Sequence, residues 1–258
     1  YPNVKIICIG AVGSAHELIN LDPNLYPRIA ELYVPLLSEE EIKAIITQGC
    51  KLLNISMSDN LIDKISYYSN RLASLTHQMC YDICNSNEIL KQQYRHIKIG
   101  DKYFKSAIES YLNKNSDTLK GIYDSCVKRQ LAWYILKTFV TLGKDSIRFT
   151  EIQNRVCQKQ RSYTDDEIMK ELNELSSAAV NIIRYNNNSD SYSISTPFWG
   201  AFLKMQIAIE DANRSKISNK SKRKKLILKN QNDIDADVYN VLLERIEEFK
   251  KLMKETYN

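Results

Sequence analysis

The chain has 258 residues, 43% hydrophobic and 26% charged, an ordinary composition for a soluble protein and long enough for about two domains. Seven glycines and five prolines are too few for a turn-rich sandwich and favour long helices. The formal charge of +5 is local: residues 214–229 carry eight basic side chains and no acid, and the rest holds 28 basic against 31 acidic residues.

The longest uninterrupted apolar or glycine stretch is residues 6–13, eight residues, whereas a membrane span needs about 20. No charged-then-apolar leader opens the chain, and the six cysteines (8, 50, 80, 84, 126, 157) are widely spread. Both observations point to reduced thiols in a cytoplasmic protein. The first residue is Tyr1 and the sequence enters a strand-like run at once, so a fragment lacking an N-terminal part is expected.

In chain order, residues 4–9 (VKIICI) read as a buried parallel strand ended by Gly10. Ser14 to Glu17 has capping-box spacing, and 29–34 forms a second short strand stopped by Pro35. Ser38-Glu-Glu-Glu41 opens a helix to about Leu53, Ser58 caps another, and a third runs from about Arg71 to Ile83. These three make a small helical bundle. Residues 85–100 read as irregular, Asp101 as the cap of a helix to about Leu112, and Ser116 as the start of a longer helix. The stretch 131–140 is apolar nearly all round and is expected to be buried. Thr150 and Thr164 cap two further helices, and 181–195 alternates as a hairpin around the polar turn 186–190. Helix, helix, helix, hairpin is the order of a winged helix-turn-helix. Pro197 opens a closing helix with Phe198, Trp199, Phe202 and Met205, and 238–256 is a last amphipathic helix. The fold expected is mainly α with minor β.

Several segments resemble the second half of a P-loop ATPase module of the AAA+ and STAND-like group. They are VKIICIGAVGS (4–14), Arg28 before a short strand, PLLSEEEI (35–42) and SNRLASLTHQMC (69–80). The resemblance implies a C-terminal edge of an α/β nucleotide core at 1–34 and a helical lid at 35–87. Connector helices at 88–127, a winged helix at 128–212 and a basic linker with a C-terminal helix at 213–258 complete the expected arrangement. It implies ATP and magnesium as cofactors of the parent protein, and a homo-oligomer or protein partner beside the missing ATPase part. Where such lids often carry Gly-x-Pro against adenine, this sequence has Arg71-Leu72-Ala73. No G-x-x-x-x-G-K-[ST] occurs: at Gly143-Lys144 the flanking positions are Thr138 and Asp145. No strand ends in an Asp-Glu pair to hold magnesium, so these residues alone should neither hold the nucleotide nor hydrolyse it.

Arg28 is the candidate catalytic residue, a guanidinium able to act on a neighbouring subunit's γ-phosphate; a solvated loop arginine is the plainer account. Ser14, Arg71, Leu72 and Ala73 are the nucleotide-contact candidates, Arg71 standing where a lid arginine could touch phosphate. The GxxG turn before Ser14 serves equally as a tight turn and cap. His77, Cys80 and Cys84 share a helix face, but no fourth ligand of CxxC spacing accompanies them, so no metal is expected. The expected recognition helix of the winged unit carries Asp165, Asp166, Glu167, Glu171 and Glu174 against Lys170, a charge that repels phosphates. Lys222, Arg223, Lys224 and Lys225 are therefore the nucleic-acid candidates, without an aromatic residue for stacking. Three readings stay open: an ATPase lid and winged helix, a nucleic-acid module using 214–229, and a protein-interaction scaffold.

Overall fold

The computed structural model describes residues 34–159 and 163–213. The chain divides into two compact units, Tyr1–Gln206 and Ile207–Asn258. The described part of the first is mainly helical with two two-stranded sheets.

Helix α1, Glu39–Leu53, begins as its sequence dictates. Ser38 Oγ accepts from the Glu41 amide at 3.2 Å and Glu41 Oε2 accepts from the Ser38 amide at 2.7 Å. Three glutamates in its first turn complement the helix dipole, and Asn54 ends it at φ 54°. Ile42, Ile46 and Cys50 recur every fourth residue and are buried. Strand β1, Ile55–Met57, leads to α2, Asp59–Tyr68, whose cap Ser58 accepts from the Leu61 amide. Helix α3, Ala73–Ser86, packs against α1 and buries Leu75, Met79 and Ile83. These are the three expected bundle helices, the third starting two residues later than its pattern suggests.

The region 85–100 is not wholly irregular. Strand β2, Ile97–Ile99, pairs in parallel with β1, Ile55 opposite Ile97 and Met57 opposite Ile99. Parallel neighbours need a crossover, and α2 and α3 supply it. Three residues per strand are too few to display a period of two, so this sheet leaves no pattern in the sequence.

Asp101 does not act as a simple helix cap. Asp101–Tyr103 form a single 3-10 turn before α4, Phe104–Lys114, and the Asp101 carboxylate turns back to α2. It accepts from Ser58 Oγ at 3.0 Å, from Lys64 Nζ at 2.6 Å and from Asn60 Nδ2. The long helix expected from Ser116 breaks in two. A wide turn at Ser116–Lys120 runs into α5, Gly121–Val127, and α6 starts at Gln130 after Arg129 takes an extended conformation.

Helix α6, Gln130–Leu142, is buried along Leu131, Ala132, Trp133, Ile135, Leu136 and Phe139. It packs against α5, against α7 (Phe149–Lys159) and against α8 (Asp165–Leu175). Thr164 caps α8 with the reciprocal Glu167 bond, as expected. Strands β3, Ile183–Asn186, and β4, Ser191–Ile194, form the antiparallel hairpin. Ile147 joins it from the α6–α7 connection, exchanging two 2.8 Å backbone hydrogen bonds with Tyr192. The core here is Ile147, Ile152, Val156, Ile168, Leu172, Leu175, Ile182 and Ile183, all fully buried. A helix over 197–213 follows, with Trp199, Phe202 and Met205 inward and Phe198 half exposed.

Candidate functional site

The turn between α2 and α3 is where the sequence-predicted residues meet the rest of the molecule. Ser69 ends α2, buried, with its hydroxyl on the Ser66 carbonyl. Asn70 and Arg71 then follow in the left-handed region, at φ 51° and 64°. That conformation is uncommon for a residue with a β-carbon; Asn tolerates it, Arg much less so. Two consecutive such residues persist only where surrounding contacts hold them.

Those contacts are long-range. The Asn70 amide donates to the Pro197 carbonyl at 2.9 Å, and its Oδ1 accepts from Lys204 Nζ at 2.9 Å. Lys204 also donates to the Tyr67 carbonyl at 3.2 Å, and its ammonium lies 4.4 Å from the Tyr67 ring centroid. The helix can approach this closely because residue 200 is glycine: a β-carbon there would sit 2.5 Å from Asn70 Nδ2. Arg71 turns to the other side. Its Nε donates to the Leu37 carbonyl at 2.7 Å and its Nη2 to the Leu36 carbonyl at 3.3 Å. Two adjacent residues therefore tie the segment entering α1, the bundle, and the helix after the hairpin to one point.

Lys204 bears the electrostatic cost. Burial, followed by the nearby Arg71 guanidinium, lowers its ammonium below the ordinary lysine value, and Asp145 opposes this more weakly.

Of the nucleotide-contact candidates, Arg71, Leu72 and Ala73 sit in this junction. Leu72 is the N-cap of α3 with no side-chain cap bond, its amide closing the turn on the Ser69 carbonyl at 3.0 Å, and Ala73 is the first helical residue. Ser14 and Arg28 lie outside the described residues, as do Lys222, Arg223, Lys224 and Lys225. His77 is exposed, whereas Cys84 is buried, and burial raises the thiols of Cys50, Cys80 and Cys84. Among the described residues no group of three or more His, Cys, Asp or Glu side chains could hold a metal ion. Nor is any described helix long and apolar enough to cross a membrane.

The sequence reading missed Tyr67, Asn70, Pro197, Gly200 and Lys204. Two signals were present: an Asn directly after a helix, which favours a left-handed turn, and a glycine inside the apolar helix 197–213, which marks close approach. That these two belong together is a contact between positions 130 residues apart in the chain.

No protein-family model, curated protein or solved structure matches this chain.

Proposed function

We propose that the described residues are the helical lid and winged-helix portion of an ATP-binding ATPase of the AAA+/STAND-like kind, coupling nucleotide state to a partner or to self-assembly. The observation that carries the reading is the junction at Asn70 and Arg71, which links the chain entering the bundle to the helix that follows the hairpin. A lid that moves with nucleotide needs such a link to transmit its position. The order α6, α7, α8, hairpin, with Ile147 added to the hairpin edge, supports the winged-helix part. The exposed face of α8 carries Asp165, Asp166, Glu167 and Glu174, which favours a protein contact over nucleic acid. In this reading ATP and magnesium are held with residues of a nucleotide core, and Arg28 acts on a neighbouring subunit's nucleotide.

The test is photo-crosslinking of the natural full-length polypeptide with an azido-ATP probe, followed by peptide mapping. Label is expected on the peptide containing residues 69–73. An ATP-competent polypeptide that never labels there ends the lid reading. Replacing Arg28 by Ala is expected to reduce turnover more than ATP binding, and equal turnover removes Arg28 from the mechanism.

A second reading has one observation in its favour. Arg71 already spends two N–H groups on the Leu36 and Leu37 carbonyls, a purely structural use that suits an interaction scaffold. Crosslinking separates the two, since a scaffold takes no label.

A further inference from the structure

We infer that Ser56, His96 and Asn54 form a nucleophile, a general base and its orienting group, able to take an acyl group from an uncharged ester. They meet on the outward side of the β1–β2 sheet. Ile55, Met57 and Ile99 are buried, so Ser56 and its register partner Lys98 lie on the opposite side of the pleat. Asn54 and His96 each stand one residue before their strand, and their side chains converge on Ser56. The hydrogen bonds fix each role. Asn54 Nδ2 donates to the Gln93 carbonyl at 2.9 Å, which leaves Asn54 Oδ1 facing His96 Nδ1 at 3.4 Å. An amide oxygen only accepts, so Nδ1 carries the ring proton. In the neutral ring Nε2 then holds a bare lone pair, 3.0 Å from Ser56 Oγ, and the hydroxyl donates to it. A hydroxyl bonded to a base that a third group orients is the arrangement that activates a nucleophile, and it is known by geometry rather than by sequence order.

The site is open to a substrate: His96 is exposed and Ser56 half-buried. In the acyl transfer, Ser56 Oγ forms a bond to the ester carbonyl carbon while its proton passes to His96 Nε2 and the carbonyl oxygen takes up the electron pair. Lys98, exposed on the same face of the neighbouring strand, brings a cation to that developing oxyanion. The oxyanion collapses, the bond to the leaving oxygen breaks, and the alcohol departs with the proton held at Nε2. Water then attacks the acyl-serine by the same route and releases the carboxylic acid. The Gln93 amide, donating to the Leu53 carbonyl at 3.0 Å, holds the approach to His96 beside the end of α1. Leu52 and Tyr94 are exposed there, which favours an apolar ester over a charged one. Ser56 and His96 are the catalytic residues and Asn54 is a positioning residue. None is a nucleotide-contact candidate, so the site stands or falls independently of the lid reading.

The experiment treats the folded 258-residue chain with an alkyl fluorophosphonate and maps the adduct by peptide mass spectrometry. The Ser56 Oγ–P bond forms, the P–F bond breaks, fluoride leaves, and the serine proton goes to His96. Ser56 should be labelled far faster than the other serines, and no faster than they are once urea has separated the strands. An unlabelled Ser56 in the unsubstituted protein, or one labelled no faster than the rest, overturns the proposal without recourse to any variant. His96→Gln should slow the labelling roughly a hundredfold or more, the usual contribution of a general base, and an unchanged rate overturns the proposal. Asn54 ends α1 at φ 54°, which glycine accepts, so Asn54→Gly removes the orienting oxygen without straining the turn. That variant should lose most of the rate and Asn54→Asp, which keeps an acceptor opposite Nδ1, should retain it; equal losses in both overturn the orienting role. With p-nitrophenyl butyrate as substrate, nitrophenol release above the rate in buffer should vanish in Ser56→Ala. Release that persists there, or a butyryl group recovered on His96 in place of Ser56, overturns the assignment of Ser56 as nucleophile.

Discussion

Arg129 holds the carboxylate of Glu171 with two nitrogens of its guanidinium, Nε 2.9 Å from Oε1 and 3.0 Å from Oε2, and Nη2 2.9 Å from Oε1. The glutamate is almost entirely buried on α8, and the arginine sits at the break between α5 and α6, reaching Glu174 as well at 3.2 Å. The pair therefore ties the point where the expected long helix is interrupted to α8. Removing one partner leaves a buried charge alone, which typically costs about 3–5 kcal/mol, reduced here because the arginine is partly exposed. Arg129→Met should lower unfolding stability by about 2–3 kcal/mol in urea. The double variant Arg129→Met, Glu171→Leu should recover most of that loss, since an apolar pair replaces an ion pair at little cost. A double variant as unstable as the single one contradicts this account.

Hydrogen bonding from Lys64, then from Ser58 and Asn60, holds the Asp101 carboxyl below the ordinary aspartate range despite the opposing effect of burial. Its ionised form thus stabilises the fold above the unfolded value near 3.9, and that contribution is lost as the pH falls through the lower, folded value. Asp101→Asn should lower the melting temperature at pH 7, and the gap between the variant and the unsubstituted chain should close below about pH 4. A gap that persists unchanged to pH 2.5 would mean that Asp101 acts by shape and not by charge.

Cys80 is only partly buried by surface, yet its thiol should be inert. Burial, with Cys50 and Cys84 nearby, pushes it up from 9.0 to about 12. At pH 8 that leaves roughly a thousandth of the thiolate that an ordinary cysteine would have, and the thiolate is what alkylates. Iodoacetamide treatment of the native chain, followed by peptide mass spectrometry, should leave Cys80 unmodified until denaturant is added. Rapid native alkylation at Cys80 would show that the α1–α3 interface opens readily.

What the sequence disclosed and what it hid divide along one physical line. Ser38, Ser58 and Thr164 announced their helices because capping is local chemistry, complete within four residues. The apolar run of α6 announced its own burial for the same reason. The parallel pair β1–β2 stayed hidden because its strands are three residues each and its partner lies 42 positions away. Asp101 looked like a cap from its neighbours, whereas its carboxylate answers to Ser58, Asn60 and Lys64 on α2. At the candidate site Arg71 was visible as a charged residue at a helix start. Its direction was not, because a left-handed backbone sends its guanidinium to Leu36 and Leu37. Lys204 had no local signature at all, since its meaning comes from Asn70 and Tyr67 across the fold.

Gly200 gives the sharpest test of the junction, because two effects of opposite sign meet there. Alanine is the better helix former by about 1 kcal/mol, so Gly200→Ala alone would ordinarily stabilise a helix interior. Here the new β-carbon would meet Asn70 Nδ2 at 2.5 Å and Cγ at 3.3 Å. The amide must leave, and with it go the bonds to the Pro197 carbonyl and from Lys204. Losing two hydrogen bonds, one to a charged group, costs about 2–4 kcal/mol, which outweighs the helix gain. Gly200→Ala should therefore destabilise the chain by about 1–3 kcal/mol in urea unfolding. The order should invert in an Asn70→Gly background. Glycine accepts the left-handed φ of position 70 without strain and offers nothing for the β-carbon to strike, so adding Gly200→Ala should then stabilise by about 0.5–1 kcal/mol. If Gly200→Ala has the same sign in both backgrounds, the helix does not owe its approach to Asn70, and the junction is held by other contacts.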